Sequence, residues 1–287
     1  MGDQLSCKIT FWGVRGSTPC ADPEHMAFGG NTTCVQIHIP GSDEQLILDS
    51  GTGIRKLGNK LSGQNQNIRG HIFITHPHRD HLQGFPFFRP LYSSGNNFEI
   101  HMPEQEQGSC REIFTEHHSK TFFPVSLDMM NAHLTFVDQP PERTTYEGFE
   151  VEFMRANHST NTAIYKFHLD GRQLIFAPDN ELVPEDLEED WGHKERIREF
   201  FQDADILIHD AQYDLEAYKH KQGWGHSAWQ QVIKVARETG VAKLLLTHHD
   251  PSSDDEKLYQ LDEHIQEEYG AYFDIIELAK EGDTSFL

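Results

Sequence analysis

The stretch Thr75-His76-Pro77-His78-Arg79-Asp80-His81 places four candidate metal-ligating side chains on one short bend of chain. It follows the apolar run Ile72-Phe73-Ile74, which reads as a buried strand, and it leads into Leu82-Gln83-Gly84-Phe85. The local geometry implied is strand, sharp loop, helix start. His76 and His78 then sit on the loop, and Asp80 and His81 in the first helical turn. Imidazole and carboxylate are the ligands preferred by zinc and its neighbours. Because the groups leave the bend in two directions, one such cluster can serve two ions.

Outward from this bend, strands and turns alternate. Residues 8–12 read as a first strand, running into Gly13-Val14-Arg15-Gly16-Ser17-Thr18-Pro19, and residues 34–39 as a second. A third strand, 45–48, closes at Asp49-Ser50-Gly51. Asp49 is read equally well as a turn cap or as a carboxylate orienting a metal ligand. Residues 84–145 are the hardest to read: their aromatics suit core, a lid or a base-stacking platform, with a helix at 110–118 on which His117 and His118 would be exposed. Strict alternation marks a strand at 149–153 leading to His158. A hairpin then spans 163–177 around Asp170-Gly171 and delivers Asp179.

The acidic segment 181–190 reads as a solvated loop or short helix, and spacings at Ile197, Phe200, Phe201 and Ala204 as an amphipathic helix. The strand 205–208 ends at His209-Asp210. A further helix carries Trp229, Val232, Ile233 and Ala236, with Ser227 and Gln230 in capping-box spacing and His226 just outside. The strand 243–246 presents Thr247-His248-His249-Asp250; a helix near 258–269 and a strand near 272–278 follow. Strands come first, then strands alternating with helices, with no linker. The pattern predicts one α/β domain over residues 1–287, its sheets covered by helices on both sides.

The chain has 46 Asp+Glu against 24 Lys+Arg, a formal net charge of -22. Nucleic-acid binders normally carry a basic footprint, so this balance speaks against a large nucleic acid partner. The N-terminus lacks a basic segment followed by an apolar one, no run is long enough for a membrane span, and Cys7, Cys20, Cys34 and Cys110 show no paired spacing. A cytoplasmic protein with free thiols and no membrane partner is expected. The aromatic stretch 85–92 offers a surface for a homodimer.

His76, His78, Asp80, His81, His158, Asp179 and His248 all fall at or after C-terminal strand ends, where sites assemble in α/β layers. This His-x-His-x-Asp-His run, followed by a lone histidine, a lone aspartate and a last histidine, resembles the metallo-β-lactamase superfamily. The resemblance implies a four-layer αββα sandwich and two divalent ions, zinc by default, with manganese also compatible. It assigns one ion to His76, His78 and His158, the other to Asp80, His81 and His248, and makes Asp179 the bridge. Gly225-His226-Ser227 and His209-Asp210 are similar to segments of transfer-RNA 3′-processing endonucleases and phosphoribosyl cyclic phosphodiesterases. There the extra histidine acts on phosphate and an acidic residue orients it, so His226 and Asp210 are expected to be catalytic together with Asp80. The arm that the transfer-RNA enzymes carry between the lone histidine and the bridging aspartate is replaced here by the tight hairpin. With the acidic balance, this favours a metal-dependent phosphodiesterase acting on a small cyclic phosphate, foremost a cyclic nucleotide. A transfer-RNA 3′ endonuclease and a glyoxalase II-type thioesterase are the alternatives.

Overall fold

The structure, a computed structural model, describes residues 6–63, 67–184 and 191–287. Six strands enter first: β1 (Lys8–Gly13), β2 (Cys34–His38), β3 (Gln45–Leu48), β4 (Arg69–Phe73), β5 (Asn97–Met102) and β6 (His133–Asp138). Eight follow: β7 (Thr144–Tyr146), β8 (Phe149–Arg155), β9 (Ala163–Leu169), β10 (Arg172–Ala177), β11 (Ile206–Asp210), β12 (Lys243–Thr247), β13 (Ile275–Leu278) and β14 (Thr284–Phe286). They pair into two mixed seven-stranded sheets, β14-β1-β2-β3-β4-β5-β6 and β13-β12-β11-β10-β9-β8-β7. The helices are α1 (Ile54–Leu61), α2 (Arg79–Leu82), α3 (Cys110–His117), α4 (Trp191–Phe201), α5 (Leu215–Tyr218), α6 (Trp229–Glu238) and α7 (Asp255–Tyr269).

Three apolar layers hold the sandwich. Phe11, Val35, Phe73, Tyr165, Phe167 and Ile208 are buried between the sheets. Ile72, Ile100, Leu57 and Phe114 join the first sheet to α1 and α3. Leu207, Leu244, Val232 and Ile265 join the second to α6 and α7. Alternation along the strands explains the division: Ile72 faces the helices and Phe73 faces the other sheet, because successive side chains leave opposite faces. The four-layer αββα expectation is therefore met. The hairpin is also as expected, with Asp170 at φ 50° and Gly171 at φ 78°, the backbone that a two-residue primed turn requires.

Several expectations fail for physical reasons. The region 84–145 contains β5 and β6, which continue the parallel sheet beside β4. Phe85, Phe88 and Leu91 are fully buried in the outer core, so the stretch read as a dimer surface is mostly interior; of its aromatic rings Phe87 alone is widely exposed. His118 is buried against Phe85 and Phe114, and its Nδ1 lies 2.8 Å from the Phe114 carbonyl. The start of α6 is capped at Ala228 without a side-chain bond. Ser227 instead donates to the Asn180 carbonyl at 2.6 Å and accepts from the Leu182 N–H at 2.9 Å. Tertiary partners outcompete the local cap. Of the acidic segment, residues 185–190 lie outside the described residues; Glu181, Leu182 and Pro184 are buried rather than solvated. No helix among the described residues is long and apolar enough to cross a membrane.

The sheets are tied together at the ligand loop. Tyr165 on β9 is fully buried, and its hydroxyl donates to the Ile74 carbonyl at 2.9 Å, while Ala163 N–H bonds the Thr75 carbonyl at 3.0 Å. Tyr165→Phe leaves a buried carbonyl short of a donor and is expected to cost about 1–3 kcal/mol in urea unfolding; an unchanged midpoint and slope would show that the tether contributes nothing.

Candidate metal centre

The floor of the site is laid by strand ends. β3 is followed by Asp49, which sits in the left-handed region at φ 58° and accepts from the Thr75 N–H at 2.8 Å. Its other carboxylate oxygen is 2.7 Å from His81 Nδ1. β4 releases the loop that carries His76 and His78, and α2 presents Asp80 and His81. β8 leads to His158, β10 to Asp179, β11 ends in His209-Asp210, and β12 is followed by His248 at φ 61°. A non-glycine residue in that conformation at a strand end is held there by its surroundings.

Proton accounting shows what the pocket is built for. Outward nitrogens are occupied: His76 Nδ1 by Thr75 Oγ1 at 3.1 Å, His158 Nδ1 by the Gly225 carbonyl at 3.1 Å, and His248 Nδ1 by Gln212 Oε1 at 3.0 Å. An N–H aimed outward leaves a lone pair aimed inward. Inside, His76 Nε2 lies 2.8 Å and His158 Nε2 3.1 Å from His78 Nδ1. Asp179 Oδ2 stands 3.6 Å from His76 and 3.8 Å from His158, and its Oδ1 3.0 Å from His81 and 3.3 Å from His248. Asp80 Oδ2 lies 3.3 Å from His81 Nε2 and 3.2 Å from His248 Nε2. His81 Nε2 and Asp179 Oδ1 are fully buried, and apart from their mutual 3.0 Å contact neither has a hydrogen-bond partner.

Electrostatics agree with this reading. Burial holds the imidazole of His76 well below its usual pKa, lowers that of His158, and brings that of His78 down to about 4, so all three are neutral donors. Burial also opposes charge on His81, but Asp179, Asp80 and Asp49 lift it well above the usual range. The pocket demands positive charge, and in the ion-free chain a proton on His81 supplies it. Two groups of residues could therefore hold divalent ions: His76, His78, His158 and Asp179, and Asp80, His81 and His248. The donor set of imidazole and carboxylate fits zinc-like ions.

Beside the cluster, His226 Nδ1 is 3.2 Å from Asp210 Oδ2, and the same oxygen receives the Ser227 N–H at 3.1 Å. The ring stacks on His248 with centroids 4.8 Å apart. Burial disfavours a charged His226, yet Asp210, with Asp179 and Asp80, raises it to about 9 in the ion-free chain. A cleft of about 990 Å³ opens from His158 past Arg155, Lys166 and Arg196, with Glu152 and Glu199 also on its walls. A second, of about 620 Å³, opens from His78 past Phe87, Phe122 and Phe123. The aromatics of this region thus divide between core and cleft wall.

The beta-lactamase superfamily domain matches residues 45–249, most of the chain. The chain belongs to the metallo-β-lactamase superfamily. As a member of this superfamily it is a metal-dependent hydrolase. Ribonuclease Z of Haloarcula marismortui is 22% identical over 288 residues, covering 85% of this chain and 86% of its own. A diphosphatase of the PhnP family superposes with a TM-score of 0.67 at 18% identity, covering 97% of each chain. Human tRNase Z, short form, superposes at 0.63 with 19% identity, covering 97% of this chain and 98% of its own. These relatives overturn the expected partner, a small cyclic phosphate with large nucleic acid disfavoured. Proteins named ribonuclease Z match along most of this chain, so neither its acidic balance nor its short hairpin argues against RNA. The physical reason is that net charge is a global sum, whereas bound cations set the field at the site.

The structure brings together all nine residues singled out from sequence: His76, His78, Asp80, His81, His158, Asp179, Asp210, His226 and His248. Sequence reasoning missed Glu181, taken for part of a solvated segment. It is buried and accepts from Gly223 N–H and Gly225 N–H, both at 2.8 Å, and from the Tyr218 hydroxyl at 2.7 Å. It thereby fixes the loop before His226. Gly225 sits at φ +85°, and a Cβ there would lie 1.9 Å from His158 Nδ1, so this approach requires glycine. Asp49→Asn should keep the fold, since asparagine tolerates the left-handed region. Its amide would meet His81 Nδ1 with a donor and turn the ring's lone pair away from the pocket. Metal affinity, read by chelator competition, is expected to fall roughly 10–100-fold, and an unchanged affinity would show that Asp49 does not orient His81.

Proposed function

We propose that this chain is a two-metal phosphodiesterase that cleaves a phosphodiester of RNA, as the ribonuclease Z proteins it resembles are named to do, with Zn2+ as the resident ion. The observation that carries the phosphodiester reading is the His226–Asp210 pair. A thioesterase needs no second acid at this point, whereas a phosphodiester has both a charged phosphoryl group and an alkoxide leaving group to stabilise. In this reading His76, His78 and His158 would hold one ion and Asp80, His81 and His248 the other, with Asp179 among the ligands. When bound, divalent ions here supply Lewis acidity and activate water at neutral pH.

The chain's own residues do the rest. Asp210 accepts the Nδ1 proton of His226 and fixes the ring against His248. No hydrogen bond among the described residues uses His226 Nε2, so that nitrogen can donate to a phosphoryl oxygen or protonate the departing ribose oxygen. Neighbouring backbone keeps Asp210 in place: Gln212 N–H donates to its Oδ1 at 2.9 Å. Support for RNA comes from the relatives' names and from the cleft leading off His158, where Arg155, Lys166 and Arg196 can follow a phosphate backbone.

Two experiments check this reading. Purified holoenzyme is expected to trim precursor transfer RNA with a 3′ trailer, and His226→Ala to lower kcat roughly 10²–10⁴-fold with its metals still bound. Full turnover of His226→Ala, or hydrolysis of 3′,5′-cyclic nucleotides with precursor RNA untouched, would overturn it. Replacing Arg155 and Arg196 by Ala should raise KM for the RNA and flatten its salt dependence, while leaving a small chromogenic phosphodiester unaffected. Equal losses on both substrates would remove the cleft from RNA binding.

A further inference from the structure

Away from the metal centre, His71 on β4 and His101 on β5 face each other between the sheets, with Glu99 beside them. The register places His71 opposite Glu99 and Phe73 opposite His101, so all three side chains leave the same face. His71 lies in mid-strand, about 16 Å along the chain from His76 at the usual strand rise. His71 Nδ1 is 3.1 Å from His101 Nε2, and Glu99 Oε2 is 3.8 Å and 3.7 Å from these two nitrogens. These are three ligand atoms around one point.

The protons decide what belongs at that point. Gln139 Nε2 donates to the Pro140 carbonyl, which leaves Gln139 Oε1 to accept from the Tyr146 hydroxyl at 3.2 Å. The Tyr146 oxygen is then left to accept, which selects the His101 tautomer with its proton on Nδ1, 3.4 Å away. His101 Nε2 is consequently a bare lone pair. On the other ring, His71 Nε2 faces the Glu44 carboxylate at 3.6 Å, nearer than Nδ1 stands to Glu99 at 3.8 Å, and the tautomer with its proton toward Glu44 leaves Nδ1 bare as well. Two lone pairs 3.1 Å apart beside a carboxylate repel one another unless a cation sits among them. Burial lowers the pKa of His71 and pushes that of His101 down to about 3, which disfavours a proton in that role.

We infer that His71, Glu99 and His101 form a separate mononuclear site for Zn2+. Tetrahedral zinc with bonds of about 2.0–2.1 Å places its ligand atoms roughly 3.3–3.4 Å apart, and the three distances here bracket that value. The Glu44 carboxylate and the Tyr146 hydroxyl act as the outer partners that orient metal-bound imidazoles. The Glu99 side chain is 42% exposed, so water supplies the fourth ligand from that side. An ion here clamps β4 to β5 next to Tyr146 of the second sheet.

The test counts metal in the full-length protein after equilibration with Zn2+ and desalting. Wild type is expected to retain about three ions per chain, and Glu99→Gln and His71→Asn about two. Phosphodiester hydrolysis by Glu99→Gln should be unchanged, which separates this site from the catalytic centre. Crystals of the wild-type protein measured at the zinc edge should show an anomalous peak between His71 Nδ1 and His101 Nε2, a readout that does not depend on either variant folding. Equal metal content in wild type and both variants, or no anomalous peak at that position, would overturn the inference and leave a histidine–histidine hydrogen bond.

Discussion

Three carboxylates, Asp49, Asp80 and Asp179, converge on the buried ring of His81, and this concentration of negative charge is the constraint on which the rest of the structure depends. Buried carboxylates cannot remain unpaired at acceptable cost. The imidazoles of His76, His78 and His158 are held neutral by burial, so they answer the charge only as ligands to something positive. Strand ends, glycine turns and left-handed backbone at Asp49 and His248 all serve to hold that arrangement in place.

The arrangement also explains the sandwich. Neither sheet carries the full set. The first sheet supplies Asp49, His76, His78, Asp80 and His81 from beyond β3 and β4, and the second supplies Asp210 from the end of β11 and His158, Asp179 and His248 from beyond β8, β10 and β12. Packing of Phe73 against Tyr165 and Phe167 sets the spacing between them. The apolar layer thus fixes distances in the polar one, and the tether from Tyr165 to Ile74 transmits it directly to the ligand loop.

How much of this was legible in the sequence depended on whether the signal was local. The hairpin at Asp170-Gly171, the alternation of β8 and the His76–His81 run are written in consecutive residues, and each was read with its boundaries nearly intact. β5 and β6 were not, because 'Asn97–Met102' and 'His133–Asp138' mix polar and apolar residues whose burial is set by neighbours far along the chain. β14 is a three-residue edge strand recognisable only by its pairing with β1. Ser227 shows the opposite failure: a valid local motif overridden by Asn180 and Leu182. The site residues were legible because ligands are chemically rare. Glu181 was hidden because it opens a stretch rich in acidic residues and its partners are not neighbours in sequence.

The tripeptide Asp179-Asn180-Glu181 joins the two halves of the machinery in a way that constrains how the protein can change. Asp179 stands between the ligand groups; Asn180 N–H approaches Asp210 at 3.4 Å and its carbonyl holds Ser227; Glu181 gathers Gly223 and Gly225. The carboxylate amid the metal ligands and the histidine beside them are therefore referenced to the same three residues. Lengthening this segment by one residue would displace both together, whereas lengthening the hairpin tip at Gly171, where a Cβ meets nothing, would disturb neither. Variation in chain length is channelled away from the chemistry and toward the surface, where an added arm could grow without retuning the centre.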